Sequence, residues 1–150
     1  MELKNQVCTL EQSEKLQELG IECASIFVHH SWLDEDVNKW QSRVMLQSEP
    51  LHEDMKYALA DGRLPAFTVA ELGVMLPSEW LNPLDQHDTK TENIIGCWKT
   101  PKGMFRYRMD EDDNECSKPM NEAQARAAML IYLLENNYVT AAECNARLNA

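Results

Sequence analysis

Four histidines, five cysteines and 25 carboxylates are the raw material for chemistry in this chain of 150 residues. His52-Glu53-Asp54-Met55-Lys56 begins like the H-E-x-x-H motif, in which two imidazoles one helical turn apart hold zinc. Lys56 stands where the second ligand belongs, so that motif is absent. His29 and His30 are adjacent; on a strand they leave opposite faces and do not readily share a metal, whereas on a loop they can. His87 and Asp88 fall in a polar stretch after Pro83 with no partner at metal-ligand spacing. The run Asp110-Glu111-Asp112-Asp113-Asn114-Glu115 holds five of the 25 carboxylates. Asp110, Asp112 and Asn114 match the first three ligand positions of an EF-hand loop. Glu115 then replaces the turn glycine, and Asn121 replaces the bidentate glutamate. The run reads as a solvated acidic loop, with weak divalent-ion binding as the alternative. No metal site and no cofactor are expected.

Other catalytic signatures are equally incomplete. Asp34/Asp36 and Glu53/Asp54 are carboxylate pairs that serve acid–base catalysis only if the fold sets them in a cleft. The glycines at 20, 62, 73, 96 and 103 are too sparse for a P-loop or a dinucleotide fingerprint. The nucleophile elbow G-x-S-x-G is missing. Cys8, Cys23, Cys97, Cys116 and Cys144 are odd in number and form no C-x-x-C pair, which points to reduced thiols in a cytosolic protein. None has an adjacent basic residue or histidine to activate it.

One constellation does suggest recognition. Lys99, Lys102, Arg106 and Arg108 are four of the 14 cations, gathered within ten residues and directly preceded by Trp98. They sit in a predicted β-hairpin, whose strands are Ile94-Ile95-Gly96-Cys97-Trp98 and Met104-Phe105-Arg106-Tyr107-Arg108-Met109. Pro101 fixes φ near −65° and excludes the mirror-image two-residue turns, while a left-handed Gly103 completes a type I turn with a bulge. That register sets Trp98 opposite Arg106 and Cys97 opposite Tyr107. Ile95, Cys97, Phe105, Tyr107 and Met109 then form the core face, and Trp98, Arg106 and Arg108 the other. A slip of one residue would reverse the first strand. Trp and Arg are common interface anchors, so this face is the candidate binding surface. The competing reading is a solvated face whose cations pair with the acidic run that follows.

Helix starts are the clearest signals for the elements that position these residues. Thr9-Leu10-Glu11-Gln12, Thr68-Val69-Ala70-Glu71 and Thr140-Ala141-Ala142-Glu143 are capping boxes, and 121–124 is a weaker one. They predict helices over about 10–19, 69–76, 122–136 and 141–148, the first stopped by Gly20 and the second by Pro77. Phe67 and Leu72 are placed to staple the second. A further helix over about 50–60 is plausible. Ser25-Ile26-Phe27-Val28-His29 reads as a strand. The stretch 34–47 is ambiguous: Val37, Trp40 and Val44 have helical spacing, while Arg43-Val44-Met45-Leu46 has strand character. The expected fold is a single α+β domain over 1–150, with a small, mostly antiparallel sheet that includes the 94–109 hairpin and is covered by helices.

Composition narrows the function. A net charge of −11 argues against general nucleic-acid binding. A hydrophobic content of 44% is too high for a disordered chain, and no apolar run is long enough to span a membrane. The N-terminus lacks the apolar core of a signal peptide. Leu64-Pro65-Ala66-Phe67-Thr68-Val69-Ala70-Glu71-Leu72-Gly73-Val74-Met75-Leu76-Pro77 resembles a segment of small uncharacterised proteins of bacterial phages and prophages. The 121–139 stretch, with Ala128-Met129-Leu130-Ile131-Tyr132-Leu133-Leu134-Glu135-Asn136, resembles their C-terminal helix, and the Thr9 box with 16–21 their opening helix. The resemblance implies only a mobile-element origin and a bacterial cytoplasm; no activity or catalytic residues carry over from it. The expected function is a non-enzymatic binding or regulatory module acting through a protein partner or self-association. A small carboxylate-dependent hydrolase and an acidic mimic of nucleic acid are the alternatives.

Overall fold

A computed structural model describes residues 2–34, 36–49, 63–77, 96–99, 103–108 and 120–150. The order is a short 3₁₀ turn (Leu3–Asn5), α1 (Leu10–Glu18), β1 (Phe27–Asp34), β2 (Lys39–Leu46), β3 (Arg63–Pro65), α2 (Val69–Met75), β4 (Gly96–Lys99), β5 (Phe105–Arg108), α3 (Glu122–Glu135) and α4 (Ala141–Asn149). The class is α+β, as the order of helix and strand signals predicts.

Each of the four helices begins with a complete capping box: the N-cap side chain accepts from the third amide, whose own side chain accepts from the N-cap amide. The caps also dock elements. The Gln12 amide, besides closing the Thr9 box, donates to the Gln124 carbonyl at 2.8 Å. Glu71, which closes the Thr68 box, lies 3.0 Å from the Ser25 hydroxyl and accepts from the Ile26 amide at 3.3 Å. Helix ends are as explicit. After α1 the Ile21 amide reaches back to Leu16 and the Gly20 amide to Gln17, with Gly20 at φ +93°. After α3 the Tyr138 and Asn137 amides reach Leu133 and Leu134, with Asn137 at φ +57°. Both are Schellman motifs. Leu76, held extended before Pro77, ends α2.

The core is built around α3, which packs against α1, α2, β4 and β5. Its buried residues are all apolar and lie on more than one side: Ala123, Ala125, Ala127, Met129, Leu130, Leu133 and Leu134. A helix apolar around most of its circumference belongs inside. Phe67 and Leu72 join this cluster, as do Leu16, Ile21, Met75 and Cys144. α2 and α3 approach closely at Gly73, where a Cβ would collide with Nη1 of Arg126.

The strands differ from expectation in four ways. The strand anticipated at 25–29 runs from Phe27 to Asp34. The ambiguous 34–47 stretch supplies β2, which pairs antiparallel with β1 along its whole length. β3, only three residues long, takes the other edge of β1, giving the order β2-β1-β3. The hairpin expected within that sheet is instead a separate two-stranded ribbon of β4 and β5. Its register is the expected one, with Trp98 opposite Arg106 and Cys97 opposite Tyr107, and Gly103 is left-handed at φ +79°. The helix anticipated over 50–60 lies outside the described residues. No helix among the described residues is long and apolar enough to cross a membrane.

Candidate functional site

The β1–β2 hairpin gathers most of the unusual side chains. Its face alternates by residue, so the adjacent histidines part company. His29 lies opposite Val44 on β2 and Leu64 on β3; His30 lies opposite Arg43 and Arg63.

His29 is 6% exposed and its Nε2 lies 2.9 Å from the Cys8 carbonyl oxygen. A carbonyl only accepts, so Nε2 carries the proton and Nδ1 the lone pair. Burial holds the imidazole below its ordinary pKa, with the bond to Cys8 partly offsetting this. His29 lines a cleft of about 550 Å³ with Lys4, Cys8, Thr9, Leu10, Ser42, Val44 and Gln124 among its walls. Lys4 at the rim is ion-paired to Glu2 at 2.9 Å. Through this bond His29 ties the N-terminal segment to the sheet.

His30 is sealed more tightly, at 1% exposed, and neither ring nitrogen has a partner among the described residues. Its ring stacks on Trp32, with centroids 5.9 Å apart and planes 16° from parallel. Burial lowers its pKa most, and the flanking Arg63 and Arg43 charges lower it further, so the ring is neutral at neutral pH. Arg43 is 2.9 Å from the Glu49 carboxylate, while its Nε is buried without a partner among the described residues. Arg63 donates to the carbonyls of Gln47 and Glu49 at 3.3 and 3.4 Å.

The free end of the hairpin is apolar and exposed. Leu33 and Trp40 are cross-strand partners, 42% and 61% exposed, and Val37 in the connecting turn is 54% exposed. Asp34 and Asp36 belong to this same turn, the Asp36 amide donating to Asp34 Oδ1 at 3.1 Å. This carboxylate pair shapes the turn and is not among the residues lining the His29 cleft.

The basic constellation is distributed by the ribbon: Trp98 and Lys99 on β4, Arg106 and Arg108 on β5, with Gly96 opposite Arg108 and Lys99 opposite Phe105. Lys102 lies outside the described residues, as do the acidic run at 110–115, His52, Glu53, Asp54, His87 and Asp88. Among the described residues, no three His, Cys, Asp or Glu side chains are grouped to hold a metal. Cys8, Cys23 and Cys144 are free and buried, and burial raises each thiol above its ordinary pKa, which leaves them protonated.

Sequence reasoning missed both the Arg43–His30–Arg63 row and the apolar tip. Reading 39–46 as a strand would have revealed the first two members and the Leu33–Trp40 pair. Nothing local signals that Arg63 joins them. Comparison with known proteins returns no matching family model, no matching curated protein and no matching solved structure.

Proposed function

We propose that this chain is a non-enzymatic binding module that docks a protein partner through the free end of its β1–β2 hairpin. The observation that carries this reading is the exposure of Leu33, Val37 and Trp40 together at one end of a two-stranded projection. Tryptophan is the side chain most often found as an interface anchor, and an exposed apolar group rimmed by polar residues is typical of contact surfaces. Asp34 and Asp36 beside this group, and the net charge of −11, favour a partner with an apolar depression ringed by basic residues. The same charge disfavours a second copy of this chain, since two such surfaces repel. The resemblance to phage and prophage proteins adds a bacterial cytoplasm as the setting.

The β4–β5 ribbon supports a second contact, because its register sets Trp98 across from Arg106. Both contacts are tested with one partner, captured from host lysate, purified and titrated against the protein by calorimetry. Trp40→Ala is expected to weaken binding by about 2 kcal/mol or more, roughly 30-fold in Kd. Full affinity in Trp40→Ala with loss in Trp98→Ala would move the contact to the ribbon. Full affinity in both variants would reject both surfaces.

A further inference from the structure

His30 is an anomaly that the docking reading does not use. Buried polar groups in native proteins are almost always hydrogen-bonded, yet both nitrogens of this imidazole are sealed from solvent and unpartnered among the described residues. The Arg43 Nε–H, on the residue directly across the strand pair, is in the same position. Directly opposed side chains leave the same face of an antiparallel sheet, so these orphaned groups are neighbours. Arg63 flanks the imidazole from the other strand.

The charges are also unbalanced. Arg43 and Arg63 bring two cations to this face, and Glu49 supplies one carboxylate to Arg43, whereas the contacts of Arg63 are to neutral carbonyls. Among the described residues, one positive charge is left over beside a neutral ring that has an N–H to donate. We propose that this face of the β1–β2–β3 sheet binds a carboxylate. One oxygen accepts from Arg43 Nε–H and the other from the N–H of His30, and the single negative charge cancels the surplus. A planar monoanion suits a row walled by the flat ring of Trp32, which already stacks on His30. Phosphate would bring more charge and more acceptor sites than these donors serve.

The test is a thermal-shift titration of the full chain with acetate at constant ionic strength and neutral pH. Chloride and phosphate serve as controls, and the imidazole ¹⁵N resonances are followed in parallel. A ligand that binds only the folded state raises Tm saturably. The expected result is a saturable rise with acetate alone, accompanied by a shift of the His30 ring resonances. His30→Phe and Arg43→Gln should fold and lose that response, each with an apparent affinity lower by about tenfold or more. A short peptide with a free C-terminal carboxylate, compared with its amide, identifies the source. A response confined to the free-acid peptide and acetate assigns chain termini as well as small acids; a response to acetate alone assigns small acids. An equal response to chloride or phosphate, an undiminished response in His30→Phe, or no response to acetate overturns the proposal.

Discussion

In α3 the seven buried side chains are all apolar, whereas β1 buries two imidazoles, one of them without a partner among the described residues. The helices spend their polar groups on caps that are fully bonded. The hairpin does the reverse: Trp40, Val37 and Leu33 face solvent, and Arg43 Nε is enclosed. Stability alone explains the first arrangement and not the second. Local departures from good packing and satisfied polar groups are where function is usually found, which is why both proposed sites are placed on the hairpin and the helical layer is left as scaffold.

Four measurements break or sharpen that division. Leu130→Ala, in the middle of the fully buried helix, should cost about 2–5 kcal/mol through lost burial and the cavity left behind. A fallen urea midpoint at unchanged slope would register it. A change under about 1 kcal/mol would mean that α3 is not the scaffold's centre.

The next effect is pH-dependent. Both buried imidazoles have pKa values held below the ordinary value of about 6.5, so between that value and their folded pKa the unfolded chain binds more protons. Stability is therefore complete above about pH 6.5 and is lost as pH falls, by at most about 1.4 kcal/mol per pH unit for each ring. His30→Phe should flatten the part due to His30 and leave that of His29. An unchanged acid limb in the variant would show that burial and the flanking arginines do not hold His30 below its ordinary pKa.

Thr68→Ala removes the acceptor for the Glu71 amide and should cost about 1 kcal/mol, read as a lower Tm. Trp40→Ala should be the mildest, within about 0.5 kcal/mol, because so much of the ring is already in solvent. A loss as large as that of Leu130→Ala would abolish the contrast.

The helical half was legible because its signals are local. A capping box lies within four residues, and Gly20 and Pro77 announce the ends beside them. The β4–β5 register was legible for the same reason, since Pro101 and Gly103 restrict the turn between the strands. The three-stranded sheet gave no such handle. Val37, Trp40 and Val44 mimic helical spacing because one occupies a turn and the other two share the face that β2 turns to the His29 side. Arg43 and Arg63 are twenty positions apart, and only the pairing of both strands with β1 makes them neighbours of one imidazole. The basic cluster visible in the sequence was dense along the chain, while the one that encloses an unpartnered group is dense only in space.

The double duty of the capping side chains reaches beyond the helices they start. Glu71 holds the first turn of α2 and the approach to β1 through the same carboxylate, so neither can fray without releasing the other. Gln12 couples α1 to α3 in the same manner. Elements that would otherwise open singly are thereby joined into larger cooperative units. Amide hydrogen exchange should find the start of α2 and the first residues of β1 opening at one common rate, while the distant end of the hairpin exchanges on its own.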